Sequence, residues 1–357
     1  MPKLNDEDIK NLLSRRHPEW VEFHRSWKWL QDSLEGGHRY KTADYGRQGM
    51  APERNLFRHS RETPPPNQPQ QIQGAGDRVA YPNSALLEAA ANSTYDTRLA
   101  RTPVPSFFQE IVYKYVSRIY SKEIQREGPD AVEMWWSDID GMGTDIADWM
   151  SDTVAPLLIA LGQLDIVVQP PEAPPGVNVR TRADEKAAGL DRVNASIILP
   201  DNLVWWEKDR QDRYVQALIE EWWEQPDCKS RKVYRWWNRE DCCLFDGQSL
   251  EPIGEPVPHP YGRPPICRIY DRKKFRCRNV GQARLEGVAE RMRDYYNRDS
   301  ELIVNDTLQS CPPLSGPVDF LKGMNEVLVG PGHILPKFQG GKRAIGGKGN
   351  GFERRAY

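Results

Sequence analysis

With 357 residues and 38% hydrophobic content, the chain is long enough for one large domain or for two or three modules around a substantial core. A mean hydropathy of −0.73 and the lack of any run of about eighteen apolar residues exclude a transmembrane helix from the expected elements. The N-terminus, MPKLNDEDIKNLLSRR, also lacks the apolar segment of a secretory signal. The formal net charge of −2 hides an uneven distribution: residues 128–179 hold nine acids and no Lys or Arg, whereas 268–298 hold ten bases against four acids. Residues 337–357 hold six bases against one acid. Such polarity suits a subunit that meets copies of itself through opposite patches, or one whose basic portion lies near nucleic acid.

In chain order, Trp20, Phe23, Trp27 and Leu30 fall at helical spacing after His17-Pro18 and predict a short docking helix. Residues 61–80, rich in Pro, Gln and Gly, read as an exposed linker. Leu86, Leu87, Ala90 and Ala91 suggest a helix. Phe107, Ile111, Val112, Tyr115 and Ile119 suggest a second, over 106–120. A third follows Gly143, with Thr144 as its N-cap, an apolar stripe from Ile146 to Leu161, a kink expected at Pro156 and a stop at Gly162. LDIVV, within 163–169, reads as a buried strand, and IILPDNLVWWEKD as a strand running to a turn at Pro200-Asp201. Residues 214–223, 233–237 and 242–245 have the spacing of antiparallel hairpins.

The turn Tyr261-Gly262-Arg263-Pro264-Pro265 leads to a short strand at Ile266, Arg268 and Ile269, then a basic loop and a long helix expected over 281–309. On that helix Leu285, Val288, Ala289, Met292 and Tyr296 form the apolar face, while Asp299 and Asp306 interrupt it in the second half. Six cysteines, at 228, 242, 243, 267, 277 and 311, lack paired CxxC spacing and read as thiols, with Cys242 and Cys243 on opposite faces of one strand. Helices thus precede a small antiparallel β region and one long helix follows it, an α+β body. The expected divisions are an N-terminal helical segment at 1–60, a linker at 61–82, a body at 83–336 and a Gly-rich basic segment at 337–357.

Few motifs carry chemistry. Asp138, Asp140 and Asp145 in DIDGMGTD supply carboxylates from one glycine-bearing turn, the donor type a hard cation needs, but no glutamate follows where an EF-hand would place one. They are the candidate metal ligands; the alternative reading is a turn with acids near a helix N-terminus. Four tandem tryptophan pairs stand among twelve tryptophans, and on a strand such neighbours point to opposite faces, one into a core and the other towards an interface. No nucleophile elbow, P-loop or zincin helix is present, so no catalytic residue and no cofactor is assigned. Lys337, Lys342, Arg343 and Lys348 are the candidates for contact with DNA phosphates through charge.

Over residues 94–337 the order of these pieces resembles the portal proteins of tailed bacteriophages. The pieces are Tyr95-Asp96-Thr97-Arg98 before a helix, WSDIDG leading to Thr144, IILPDNLVWWEKD, HPYGRPPICRIY, the helix with AERMRDYYNRDS, and Cys311-Pro312-Pro313-Leu314 with a return through VLVGPGHILPK. The resemblance implies a head-to-tail connector subunit in a homo-oligomeric ring of twelve at the capsid vertex. Such a ring is a channel for double-stranded DNA, entered without sequence specificity during packaging and left at ejection. The implied partners are the large terminase subunit and capsid and tail or adaptor proteins; the implied location is the virion, after assembly in the host cytoplasm. No membrane and no active site are implied, since the ATPase and nuclease belong to the motor. Family subunits are usually longer, and no stem, clip or channel loop is placed on this chain. Two other classes stand beside this one: a metal-dependent hydrolase using Asp138, Asp140 and Asp145, and a carbohydrate-binding module built on exposed tryptophans.

Overall fold

The computed structural model describes residues 6–45, 54–57, 95–122, 124–169, 181, 184, 192–224, 229–274, 279–310, 314–317 and 334–337. The chain divides into two compact units, residues 1–60 with 103–297, and residues 61–102 with 298–357. The first unit is α+β. Residues 1–60, set apart by sequence as a segment of their own, belong to it.

Its N-terminal helices are α1 (Asp6–Ser14), α2 (Pro18–Glu35) and α3 (Gly37–Thr42). The helix expected to be short, α2, runs for 18 residues. His17 caps it: a ring nitrogen accepts the Glu19 N–H at 3.2 Å, and Pro18 occupies the first turn, where its missing N–H costs nothing. The helix ends where Gly36 adopts φ +67° and donates its N–H to the Asp32 carbonyl at 2.8 Å. After a short helix over 95–101 (α4) come α5 (Phe107–Ile119), with Phe108, Val112 and Val116 buried at a spacing of four, and α6 (Asp130–Trp136).

The helix expected after Gly143 is capped by Asp145, whose carboxylate accepts the Ala147 N–H at 2.7 Å, rather than by Thr144. It runs as α7 (Ile146–Asp148), a π-helical turn (Trp149–Val154) and α8 (Ala155–Leu161). Pro156 falls in the first turn of α8 and has no N–H to return to the preceding turn, where the wider π geometry stands. Gly162 ends α8 at φ +81°; a Cβ there would lie 2.4 Å from the backbone at 282–283, so only glycine admits that close approach.

β1 (Gln163–Gln169) is the centre of a three-stranded antiparallel sheet, between β2 (Asn194–Ile198) and β8 (Ile266–Tyr270). A five-stranded meander follows the order β3 (Leu203–Lys208), β4 (Tyr214–Glu224), β5 (Ser230–Trp237), β6 (Asp241–Asp246) and β7 (Val257–Pro258). One face of the meander, with Trp206, Tyr214, Ala217, Ile219, Trp237 and Cys242, packs on Val167, Ile198 and Ile266 of the smaller sheet. The other face, with Val204, Leu218, Tyr234, Trp236, Cys243 and Phe245, takes Ile9, Leu12 and Leu13 of α1. The period of two along each strand therefore builds two cores from one sheet. Cys242 and Cys243 enter opposite cores as free thiols, and burial pushes the Cys243 thiol up to about 11.

The long helix, α9 (Glu286–Ser310), starts five residues later than its periodicity suggests. The backbone before it is committed elsewhere. Gly281 donates to the Gln163 side-chain oxygen at 2.6 Å, Gln282 to the Arg272 carbonyl at 2.7 Å, and Gly281 bridges to Lys273. Ala289, Met292 and Tyr296 are fully buried as the stripe predicts. Arg293 reaches the Arg54 carbonyl at 3.2 Å, and Asn297 donates to the Asn55 carbonyl at 2.8 Å.

In the second unit, Arg98 of α4 donates to Ser300 Oγ of α9 at 3.1 Å, with both residues buried. A parallel pair, β9 (Leu314–Pro317) and β10 (Ile334–Lys337), completes what is described of it. The linker expected over 61–82 and the helix at 86–91 lie outside the described residues.

Candidate functional site: a buried ion pair, a polar groove and an acidic loop

The most concentrated polar chemistry lies between the two sheets. Asp165 of β1 stands directly opposite Arg268 of β8 in the strand register. The guanidinium donates through Nε at 3.0 and 3.1 Å and through Nη2 at 3.0 Å to the carboxylate, and through Nη1 to the Asn279 carbonyl at 3.1 Å. Tyr214, from β4 of the other sheet, donates its hydroxyl to Asp165 Oδ1 at 2.6 Å. The side chains of Arg268 and Asp165 are 2% and 0% exposed, so the pair survives only because almost every donor and acceptor is filled.

Aromatic rings enclose it. The guanidinium lies 4.5 Å from the Trp206 ring centroid, and His17 stacks on Trp206 with centroids 3.8 Å apart. Lys208 sits 4.8 Å over the Tyr214 ring and donates to Asp212 at 2.9 Å. Burial, reinforced by the charges of Arg268 and Lys208, pushes the His17 imidazole down to about 4, so it is neutral at pH 7. Burial raises the Tyr214 hydroxyl well above its ordinary range and keeps it a donor to the carboxylate. Every group here is turned to another group of the chain, and the arrangement fastens the two sheets and the start of α2 together.

Beside this layer, at the end of β1 and β2, a groove of about 280 Å³ has Val167, Ile198 and Ile219 among its apolar lining residues. Its polar lining includes Gln169, Ser196, Asn202 and Glu220, and Glu221 paired with Arg235 at 2.7 Å.

The acidic loop is built differently. Asp140 Oδ1 accepts backbone N–H groups of Met142 at 2.8 Å and Thr144 at 3.3 Å, and Asp138 Oδ1 accepts that of Gly143 at 2.8 Å. The other Asp138 oxygen takes Arg192 at 2.5 Å, and Asp145 is the helix cap. A hydrogen bond from the Thr144 side chain, with those backbone donors, holds the Asp140 carboxyl below its usual range. Among the described residues no three His, Cys, Asp or Glu groups are placed to hold a metal ion together. The three candidate ligands share a turn, and each has an oxygen turned to the backbone.

Lys337 ends β10 opposite Pro317, and Lys342, Arg343 and Lys348 lie outside the described residues. Of the tryptophan pairs, Trp236 and Trp237 are both buried in opposite cores, Trp206 is buried beside a half-buried Trp205, and Trp222 is 60% exposed. Motif reading missed Asp165, Arg268 and Tyr214. The signal was there: one acid inside LDIVV and one base inside ICRIY are charges in strands otherwise fit for a core, and each demands a partner. No family model matches the chain, and no curated protein matches it. Among the described residues no helix is long and apolar enough to cross a membrane.

Proposed function

We propose that this chain is a structural subunit of a phage portal ring, a self-assembling conduit for double-stranded DNA that joins head to tail and has no catalytic role of its own. The observation that supports the reading is the way its quoted pieces combine. The WSDIDG segment leads through α7 and α8 into β1. β1 pairs on one side with the strand of IILPDNLVWWEKD and on the other with the strand of HPYGRPPICRIY, which leads on to the long helix α9. Three of the quoted pieces, WSDIDG, IILPDNLVWWEKD and HPYGRPPICRIY, thus lie with the start of α9 in the first, α+β unit, while Tyr95–Arg98 and the pieces after α9 belong to the second.

In this reading the exposed acids of α6, the loop after it and α7, among them Asp130, Glu133, Asp145 and Asp148, meet a basic surface of a neighbouring copy. DNA contact is by charge alone, with Lys337, Lys342, Arg343 and Lys348 as the phosphate-facing residues. The large terminase subunit and capsid and tail proteins are the partners, and the virion vertex is the place of action. The test is the mass of the purified full chain at micromolar concentration, with negative-stain images of the same sample. Rings with a central channel are the expected result; a strict monomer overturns the proposal.

A further inference from the structure

Residues 54–57 are held in the first unit the way a receptor holds a peptide. The Asn297 side chain of α9 takes two backbone groups of the segment at once: its Nδ2 donates to the Asn55 carbonyl at 2.8 Å and its Oδ1 accepts the Phe57 N–H at 2.7 Å. Arg293, one turn earlier, donates to the Arg54 carbonyl at 3.2 Å and lies 4.6 Å over the Phe57 ring. The Asn55 side chain is engaged at both ends. Its Oδ1 accepts the Trp29 Nε1–H of α2 at 2.8 Å, and its Nδ2 donates to the Tyr40 carbonyl of α3 at 2.8 Å. Asn55 is 0% exposed and Leu56 1%.

Each of these partner groups stands on a helix, and none is a near neighbour of the segment in sequence: Tyr40 is 15 residues from Asn55, and Asn297 is 240 from Phe57. The cleft is therefore built by α2, α3 and α9, and the segment fills it as a short motif with one polar and one apolar anchor, Asn55 and Leu56. Such a site is selective, because a residue without the amide leaves the buried Trp29 N–H and Tyr40 carbonyl without their partner. The same contacts form whichever chain supplies the motif.

The connection to the motif is slack. The Tyr45 hydroxyl donates to Asp32 of α2 at 3.0 Å and is also bonded to the Asn55 side chain. Both ends of the connector 46–53 are thus at one site, whereas eight residues of chain can span roughly 28 Å. Surplus length lets the motif reach the matching cleft of a copy packed alongside, and the exchange costs no contact. Passed from each copy to the next, such an exchange is head-to-tail and can close a ring. We propose that the cleft of Trp29, Tyr40, Arg293 and Asn297 is a docking site for the Arg54–Phe57 motif of a second copy, so that assembled copies are stitched together by this segment. The proposal rests on the ring reading only in requiring that copies meet.

The test uses two full-chain variants, each of which breaks one half of the contact. Asn55→Ala with Leu56→Ala spoils the motif, and Asn297→Ala spoils the cleft. The Asn297→Ala chain is isotope-labelled, and amide hydrogen exchange is followed at its Phe57, alone and after mixing with the unlabelled motif variant. Exchange there should slow at least tenfold on mixing, since the labelled motif finds an intact cleft only on the other chain; no slowing overturns the proposal. Should either variant fail to fold, the end-blocked octapeptide of residues 52–59, Pro-Glu-Arg-Asn-Leu-Phe-Arg-His, is offered in excess to the parent protein beside a counterpart with Ala for Asn. The asparagine peptide alone should speed exchange at the parent's own Phe57 amide at least tenfold, by displacing its segment. An equal effect of both peptides, or none, overturns the proposal. Parent rings combined with no protection in the mixed variants leave the ring reading standing and this one fallen; a monomeric parent with protection on mixing gives the reverse.

Discussion

Asp165 and Asp140 are both carboxylates held by two or more donors, and they sit at opposite extremes of the molecule's chemistry. Asp165 is fully buried and its partners are side chains from two other strands, one of them a guanidinium. Asp140 lies in an outer turn and its donors come from its own loop, within four residues of it. The first ties together segments distant in sequence and cannot lose one member without stranding another. The second shapes a local turn that water can partly repair. A carboxylate's worth to the fold thus follows from who loses a partner when it goes, more than from the number of its hydrogen bonds.

Substitutions sharpen that contrast. Asp165→Asn leaves the Arg268 charge buried without a counter-ion and should cost about 3–5 kcal/mol in chemical denaturation. Asp165→Leu combined with Arg268→Met, which removes both charges and keeps apolar bulk, should lose markedly less than the single change; a double variant as unstable as Asp165→Asn would show that the charges themselves hold the sheets. Gly162→Ala places a Cβ against the backbone at 282–283 at φ +81° and should cost more than about 1 kcal/mol, read as a lowered Tm. Asp145→Ala removes only a helix cap and should cost about 1 kcal/mol.

The smallest effect is one of pH. In the folded chain His17 titrates near 4, against 6.5 for a free imidazole. Its neutral form is the one folding retains, so its contribution is complete above about 6.5 and is lost as pH falls through that window towards 4. The raised Glu19 carboxyl acts in the opposite sense at the acid end, since the folded form then holds its proton more tightly. The readout is therefore the difference between the parent and His17→Phe, which keeps a ring on Trp206: stability of the variant should fall less steeply between pH 6.5 and 4. Parallel curves would mean that His17 is as open to protons folded as unfolded.

Much of the fold could be read from residues alone. The alternation through the meander, the stop at Gly162 and the split of Cys242 from Cys243 are local patterns, and local sterics and a period of two suffice to produce them. The face of α5 differs from the one expected: of Phe107, Ile111, Val112, Tyr115 and Ile119 only Val112 is buried, because the helix turns Phe108, Val112 and Val116 inward and leaves Ile111 and Ile119 exposed, and with apolar residues on both sides of the helix periodicity does not say which side meets the core. The start of α9 could not be read, because Gly281 and Gln282 are claimed by Gln163 and Arg272, and no helical periodicity reports a competitor from another element. The acidic loop was legible as carboxylates in a turn. That each has an oxygen accepting a backbone N–H is a matter of a few torsion angles that composition does not carry.

Sequence by itself determined the kinds of element, their order, the apolar stripe of α9 and the presence of lone charges in two core strands. Tertiary structure alone decided that those charges, 103 residues apart, are partners, and that a tyrosine from the second sheet completes them. It alone decided that β4 outruns β3. The physical reason is range. Periodicity and turn chemistry act over a few bonds of chain, whereas the pairing of a buried charge or the length of a strand's neighbour is settled by whichever distant segment the collapsed core brings alongside.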